Sequence, residues 1–394
     1  MDRGQTRSDR RTMRHLLSAT LLLVLPLRAA AAPPPTPFAD AVRRHIKILA
    51  ERGADDAGPV ATGMWMASID TRTLRPLRDH ASDRVYRKIG APNGVAVYWD
   101  QPLLAAAHAV DALAGGTGCS RAADACARAF LRHAVDERGV FGWGNHVYYD
   151  AVADRIVRFS GGHHEMRPVT PAWELLWRLD PEAVERHIRT VAKGHVYDAK
   201  TGGFSRHDDR KKGCAFLEAG GILVESLCWL HARTRDPSLL EDALKIACYS
   251  DRHRGPETGL VVNNPDVTRW DSRVCTTEVG VWANSLLRAA RYADRPALRD
   301  MADRAVRAYL RYGYDAGAGR YYGQIRVADG APVTPEQKGY WPRKYADPWN
   351  ADQWPTHDYP MALADACVTL FETCLLYTSP SPRDQRPNLV CRLL

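Results

Sequence analysis

No later part of this 394-residue chain offers the run of about 20 apolar residues that a membrane-spanning helix needs. The one long apolar run, Leu16 to Leu27, is 12 residues and lies near the N-terminus. Its length and flanks argue against a transmembrane anchor, and no membrane partner is expected. The nine cysteines include no CxxC pair, which argues against a zinc ribbon or a thioredoxin-like site. A strong excess of one charge is also missing once the two ends are set aside. Residues 1–31 carry a net +4 and residues 374–394 a net +2, so the formal +8 falls to +2 for residues 32–373. The apparent basicity is therefore no argument for nucleic-acid binding.

Both ends have separate explanations. Arg7, Arg10, Arg11 and Arg14 form a positive head before the apolar run, and Ala29, Ala30 and Ala31 supply small residues for cleavage. This is the pattern of an export signal. The expectation is a signal peptide over residues 1–31, cut after Ala31, and a protein that is periplasmic or secreted. Such a compartment permits disulfides, and Cys119 with Cys126 is the candidate pair. At the other end, residues 374–384 read CLLYTSPSPRD. The string matches the translation of a transposase-type sequencing adapter. Residues 374–394 are accordingly expected to be a non-native tail. Residues 32–373 are expected to form one catalytic domain, truncated at its C-terminus.

What the chain does have is an internal repeat. Asp180-Pro181, Asp236-Pro237 and Asp294-Arg295-Pro296 each open a charged helix, and Ser120 opens a fourth. Asp caps the free N–H groups of a first turn, and Pro suits the first helical position. The starts lie 60, 56 and 58 residues apart. Each is preceded by a helix apolar on more than one face: QPLLAAAHAVDAL, PAWELLWRL, GILVESLCWLHA and GVWANSLLRAARYA. Helices of that kind are surrounded by other helices. The reading is an all-α chain of inner and outer helical hairpins, closing as an α/α toroid of six or seven hairpins. Residues 38–50, capped by Thr36, supply an early helix, and residues 358–372 a late inner one.

The connectors after the outer helices repeat as well: ERGVFGWGNH, YDAKTGGFSRH, GPETGLVVNN and YDAGAGRYYGQ. In a closed ring they crowd one rim, where binding residues concentrate. Two of them carry His146 and His207, and Glu165 sits just before the inner helix between them. Two imidazoles and a carboxylate suit a divalent transition metal such as Mn, Ni or Zn better than Ca. The alternative is that these are rim residues bonded to loop backbone. His163 and His164 read as polar loop residues, and Glu225 and Glu278 as structural groups within inner helices.

The stretch HEMRPVTPAWELLWRLDPEAVERHIRTVAKGHVYDAKTGGFSRH resembles the central region of polysaccharide lyase family two, the periplasmic pectate lyases. It is also similar to a broader group of exported bacterial proteins often labelled pectate lyases. The likeness runs over roughly residues 100–360 and is strongest over 143–208. It implies an α/α toroid and a transition metal held by two His and one Glu, with an Arg directly before the second His as the base. Carried onto this sequence, those are His146, Glu165 and His207 for the metal and Arg206 for catalysis, with His164 as an alternative ligand. The activity implied is metal-assisted β-elimination on an acidic polysaccharide, pectate first. Arginine holds its proton with a pKa above about 12, so Lys344 or a Tyr stays open as the base.

A second cluster, GYWPRKYADPWNADQWPTHDYP, groups Trp341, Arg343, Lys344, Tyr345 and His357. Aromatic faces stack on sugar rings, and cations hold uronate carboxylates. With Arg167 these residues are the candidate substrate-binding set; the alternative is a loop whose aromatics cover one end of the ring. Other activities fit the same scaffold: a glycoside hydrolase using Asp208, Asp347 and Asp358 as its carboxylates, an epimerase, or a non-catalytic sugar-binding protein.

Overall fold

The computed structural model describes residues 37–77, 91, 93–144, 146–158, 161–265, 272–317, 320–333 and 359–374, all within one compact unit. The expected signal peptide, Thr36 and the tail beyond Cys374 lie outside the described residues.

The helices are α1 (Pro37–Arg52), α2 (Val97–Ala114), α3 (Cys119–His133), α4 (Trp173–Leu179), α5 (Pro181–His195), α6 (Leu217–Thr234), α7 (Pro237–Arg252), α8 (Thr276–Ala293), α9 (Pro296–Gly313) and α10 (Tyr359–Cys374). They pair as the repeat predicts. α2 packs on α3, α4 on α5, α6 on α7 and α8 on α9, while α6, α8 and α10 pack side by side. The two kinds of helix bury different amounts of themselves. In α5 only one stripe is covered: Val184, His187, Ile188, Val191 and His195. In α6 every residue from Leu217 to Leu230 is buried. Each large aliphatic side chain so covered contributes on the order of 1.5–3 kcal/mol.

The caps separate into two groups. The Asp180 carboxylate accepts from Ala183 N at 3.0 Å, and that of Asp236 from Ser238 N at 3.0 Å, each with Pro at the first helical position. Asp294 departs from this pattern. It sits at φ 49° as the left-handed C-cap of α8, and α9 has no side-chain cap. The extra residue, Arg295, moves the Asp one place too early, where a short polar side chain tolerates the left-handed region. Ser120 is likewise not the cap of α3. Asp111, at the end of α2, accepts from Ser120 N at 2.9 Å and Cys119 N at 3.3 Å. The candidate Cys119–Cys126 pair, which the sequence left open, is not formed. Both thiols are free and lie in α3, where seven residues of rise put them about 10 Å apart, beyond the reach of a disulfide.

The connectors are not plain turns, so the all-α expectation holds for the helices only. Short antiparallel strands occupy them: β1 (Gly94–Val95), β2 (Trp143–Gly144), β3 (Val147–Asp150), β4 (Arg155–Arg158), β5 (Val196–Asp198), β6 (Gly203–Phe204), β7 (Arg273–Cys275), β8 (Tyr314–Asp315), β9 (Arg320–Tyr321) and β10 (Gln324–Arg326). β3 pairs with β1, β2 and β4, β5 with β6, β8 with β9, and β7 with β10. Each connector is then bonded to the next. Glu165 and His207 form an antiparallel bridge. Asn264 accepts from Ala215 N at 3.1 Å and donates to Gly213 O at 3.1 Å. Further along, β7 and β10 form a ladder with Cys275 opposite Gln324.

Inner helices approach closely through glycine. A Cβ on Gly280 of α8 would stand 2.4 Å from the backbone of Ala362 and Leu363 in α10. Gly280→Ala must push α10 away, a cost of roughly 1–3 kcal/mol for an overpacked core. Thermal unfolding of the G280A variant is expected to show a lowered midpoint; an unchanged midpoint would mean the two helices do not meet there.

Candidate metal centre

Three connectors supply the site. His146 directly precedes β3, whose pairing with β2 and β4 fixes the backbone on both sides. Glu165 follows a turn through Gly161 and Gly162, both at positive φ. Its backbone is tied to the third connector, with Met166 N donating to Arg206 O at 2.8 Å and Asp208 N to His164 O at 3.0 Å. His207 follows the β5–β6 hairpin. That hairpin turns at Gly202, φ 80°, where a Cβ would meet Lys245 O of α7 at 2.2 Å. Only glycine fits a backbone so placed.

His146, Glu165 and His207 each offer a ligand atom within 4.8 Å of the others. His146 Nε2 is 3.7 Å from Glu165 Oε2, and His207 Nε2 is 3.7 Å from Glu165 Oε1. The imidazoles lie face to face, centroids 5.4 Å apart. A separation of 3.7 Å is too long for a hydrogen bond. It is close to the spacing of two donors that each stand about 2.1 Å from one ion. Glu165 Oε2 and His207 Nε2 are buried and have no hydrogen-bond partner among the described residues. The donor set and its spacing are therefore compatible with a divalent metal.

Two guanidiniums share the same carboxylate. Arg206 Nη2 donates to Glu165 Oε1, and Arg167 Nη1 donates to that oxygen at 3.2 Å. Burial alone would raise the pKa of Glu165. The His207 imidazole and the charges of Arg206, Arg167 and His146 outweigh it and hold the carboxyl well below the usual carboxylate range. His146 is pushed below its ordinary value by burial. Burial acts on His207 in the same direction, but contacts with Cys214 and Glu165 prevail and raise it to about 9. A metal at His207 would have to displace that proton. Arg167 is further held by Tyr98, whose hydroxyl accepts from Arg167 N at 2.5 Å, and its guanidinium lies over Trp99 at 5.5 Å.

Beneath the site lies a buried histidine cluster whose members no sequence pattern groups together. His195 Nδ1 donates to Ser205 O at 2.8 Å, so its Nε2 must accept from His164 Nδ1, also at 2.8 Å. His187 Nδ1 accepts from Phe141 N at 3.1 Å. Burial lowers His187 to about 3 and His195 to about 4. His164 thus faces the cluster and is not one of the three convergent ligands. His163 is half-exposed, with Nδ1 3.7 Å from Asp208. Asp208 accepts from His164 N at 2.7 Å and pairs with Arg138 at 3.3 Å, so it braces the loop.

Glu225 and Glu278 are both bonded within the scaffold. Glu225 is clamped by Arg288 at 2.6 and 2.8 Å, and Glu278 accepts from Cys275 N at 3.0 Å. Trp341, Arg343, Lys344, Tyr345 and His357 lie outside the described residues, as does Asp347. Asp358 is outside them too. A cavity of about 640 Å³ lies away from the triad, lined by Trp173, Trp177, Trp229, Glu225, Arg233 and Tyr292 among others.

The connectors that bring this triad together fall within a stretch that is similar to a known family. Residues 69–243 match the periplasmic pectate lyase family. The match takes in all three convergent residues and Arg206. Solved structures resemble the chain over a longer span. A sugar epimerase from a ruminal bacterium aligns with a TM-score of 0.52 and 13% identity, covering 85% of this chain and 81% of that one. The cellobiose 2-epimerase from Spirochaeta thermophila gives 0.51 and 17%, covering 87% and 82%. At such identities the likeness is one of fold. Among the described residues no helix is long and apolar enough to cross a membrane.

A bound ion stabilises the folded state by mass action, about 2.7 kcal/mol at a hundredfold excess over Kd. Adding Mn²⁺ is expected to raise the thermal midpoint of the wild-type protein and to leave His207→Ala unmoved. An equal rise in both proteins would place the ion elsewhere. Glu165→Ala leaves two guanidiniums without their counter-charge and should cost on the order of 3 kcal/mol, read by denaturant unfolding.

Proposed function

We propose that this protein is a metal-assisted polysaccharide lyase that cleaves an acidic uronate polymer, pectate first, by β-elimination. The observation that carries the reading is the convergence of His146, Glu165 and His207 on one point, with Arg206 and Arg167 bonded to the same carboxylate. The match to the periplasmic pectate lyase family supports it. In this reading the hairpins close into an α/α toroid of six or seven units, and the protein works in the periplasm or outside the cell.

His146, Glu165 and His207 would hold the ion. When bound, a divalent cation supplies positive charge next to a uronate carboxylate as negative charge builds there in the transition state. The chain's own groups do the rest. Arg167, fixed by Tyr98 and Trp99, offers a planar donor edge to a substrate carboxylate. Arg206, once its guanidinium has given up a proton to solvent, takes the proton from C5 of the sugar, the electrons of that bond form the C4–C5 double bond, and the bond from C4 to the glycosidic oxygen breaks. The departing oxygen collects a proton and leaves as a hydroxyl. Trp341, Arg343, Lys344, Tyr345 and His357 belong to the substrate-binding side of this proposal, with Lys344 the alternative base.

Polygalacturonate with Mn²⁺ is expected to yield a product with the ultraviolet absorbance of a conjugated uronate, and chelation should abolish it. Arg206→Lys should bind Mn²⁺ as the wild type does yet lose turnover by roughly 10²–10⁴-fold, the range for a general base. New reducing ends without the absorbance would point to a hydrolase instead.

A further inference from the structure

The connector from Arg206 to Phe216 ends in an unusual backbone. Phe216 has φ 58°, a conformation that glycine adopts freely and a bulky side chain does not. Its carbonyl accepts from Ala219 N at 3.0 Å and Gly220 N at 3.3 Å, which starts α6. The connector is pinched shut, with Arg206 N donating to Cys214 O at 2.6 Å. The chain thus returns to its starting point and holds an aromatic ring there against a local backbone preference.

That ring lies under a guanidinium. The Arg206 Cζ stands 4.2 Å from the Phe216 ring centroid, and Phe216 is only 7% exposed. Arg206 is therefore held in two directions, its edge by the Glu165 carboxylate and its face by the ring. A guanidinium carries its donors in its plane and stacks through its face. Fixing the face fixes the direction of the remaining edge. An arginine side chain is otherwise a long chain of rotatable bonds, and a reacting group that wanders by an ångström loses much of its effect.

We propose that Phe216 is a positioning residue: its strained backbone presents a ring that sets the plane of the Arg206 guanidinium, and so aims it at substrate held at the triad. The inference rests on the lyase reading in so far as Arg206 acts on the sugar. It differs from a packing role, which any apolar side chain of similar bulk would fill.

The test compares Phe216→Leu with Phe216→Tyr, each as the full chain with Mn²⁺ and polygalacturonate. Phe216→Leu keeps apolar bulk and removes the ring; Phe216→Tyr keeps the ring. The Leu variant is expected to lose turnover by roughly 10- to 100-fold, with KM, Mn²⁺ Kd and thermal midpoint close to wild type. The Tyr variant should turn over normally. An arginine side-chain NMR spectrum gives a readout without catalysis. The Arg206 Hε signal, assigned by its loss in Arg206→Lys, should be shifted upfield in wild type and Phe216→Tyr but not in Phe216→Leu. Wild-type turnover in Phe216→Leu, or a fall in Mn²⁺ affinity and midpoint in step with turnover, would overturn the proposal. No turnover in wild type would instead sink the lyase reading, and normal turnover in Arg206→Lys would sink its assignment of Arg206 as the base. The resonance then still decides, and an Hε signal unchanged by Phe216→Leu overturns the platform.

Discussion

A carboxylate buried to 1% side-chain exposure, Glu165, is the constraint around which the site is arranged. An ionised carboxyl out of water is costly unless charges and donors surround it. Here two guanidiniums and two imidazoles do so, and they come from connectors that are distant in sequence. The backbone bridge from Glu165 to His207 brings two of those connectors into register. The same carboxylate therefore has two parts: it is one of three convergent groups compatible with a divalent metal, and it ties the connectors together.

The layers beneath follow from that demand. His164 occupies the residue before Glu165 and is turned away from the site into a neutral, buried cluster with His195 and His187 nearby. The tautomers are set by the carbonyl of Ser205, so one backbone group propagates its direction through two rings. Asp208, the residue after His207, plays the matching part on the other connector by accepting from His164 N. Glu165 and His207 thus each have a neighbour in sequence that anchors them, and their own side chains remain directed at one another.

Much of this was legible in the sequence because helical period, Asp-Pro starts and glycine turns are local signals. Asp180 and Asp236 cap the helices that the repeat predicts. Asp294 does not, since one inserted residue changes which helix end it serves, and sequence pattern does not weigh φ. Cys119 and Cys126 were open to pairing in an oxidising compartment, but a single continuous helix holds them apart. His207 and Glu165 could be picked out because their residue types are chemically distinctive, and Arg206 because the stretch resembles a family with an Arg directly before that His. Phe216 could not, because its importance lies in a positive φ and a ring seated under a guanidinium. The histidine cluster was hidden for a similar reason: His187 and His195 read as residues of a charged outer helix, and only the packing of α5 turns them inward.

The lacing of successive connectors bears on how the molecule comes apart. In linear arrays of repeated units, stability is divided between what each unit has on its own and what it gains from its neighbours. Here the neighbour share is carried in part by single groups. The Asn264 side-chain amide stands in for a peptide unit between two connectors, and the Glu165–His207 backbone bridge ties one of these to a third. A unit such as α4–α5, with an inner helix of only seven residues, has little to hold it alone. Its order is borrowed from neighbouring connectors. Loss of a neighbour would then be felt as a loss of cooperativity, spreading from unit to unit, before any single helix is itself unstable.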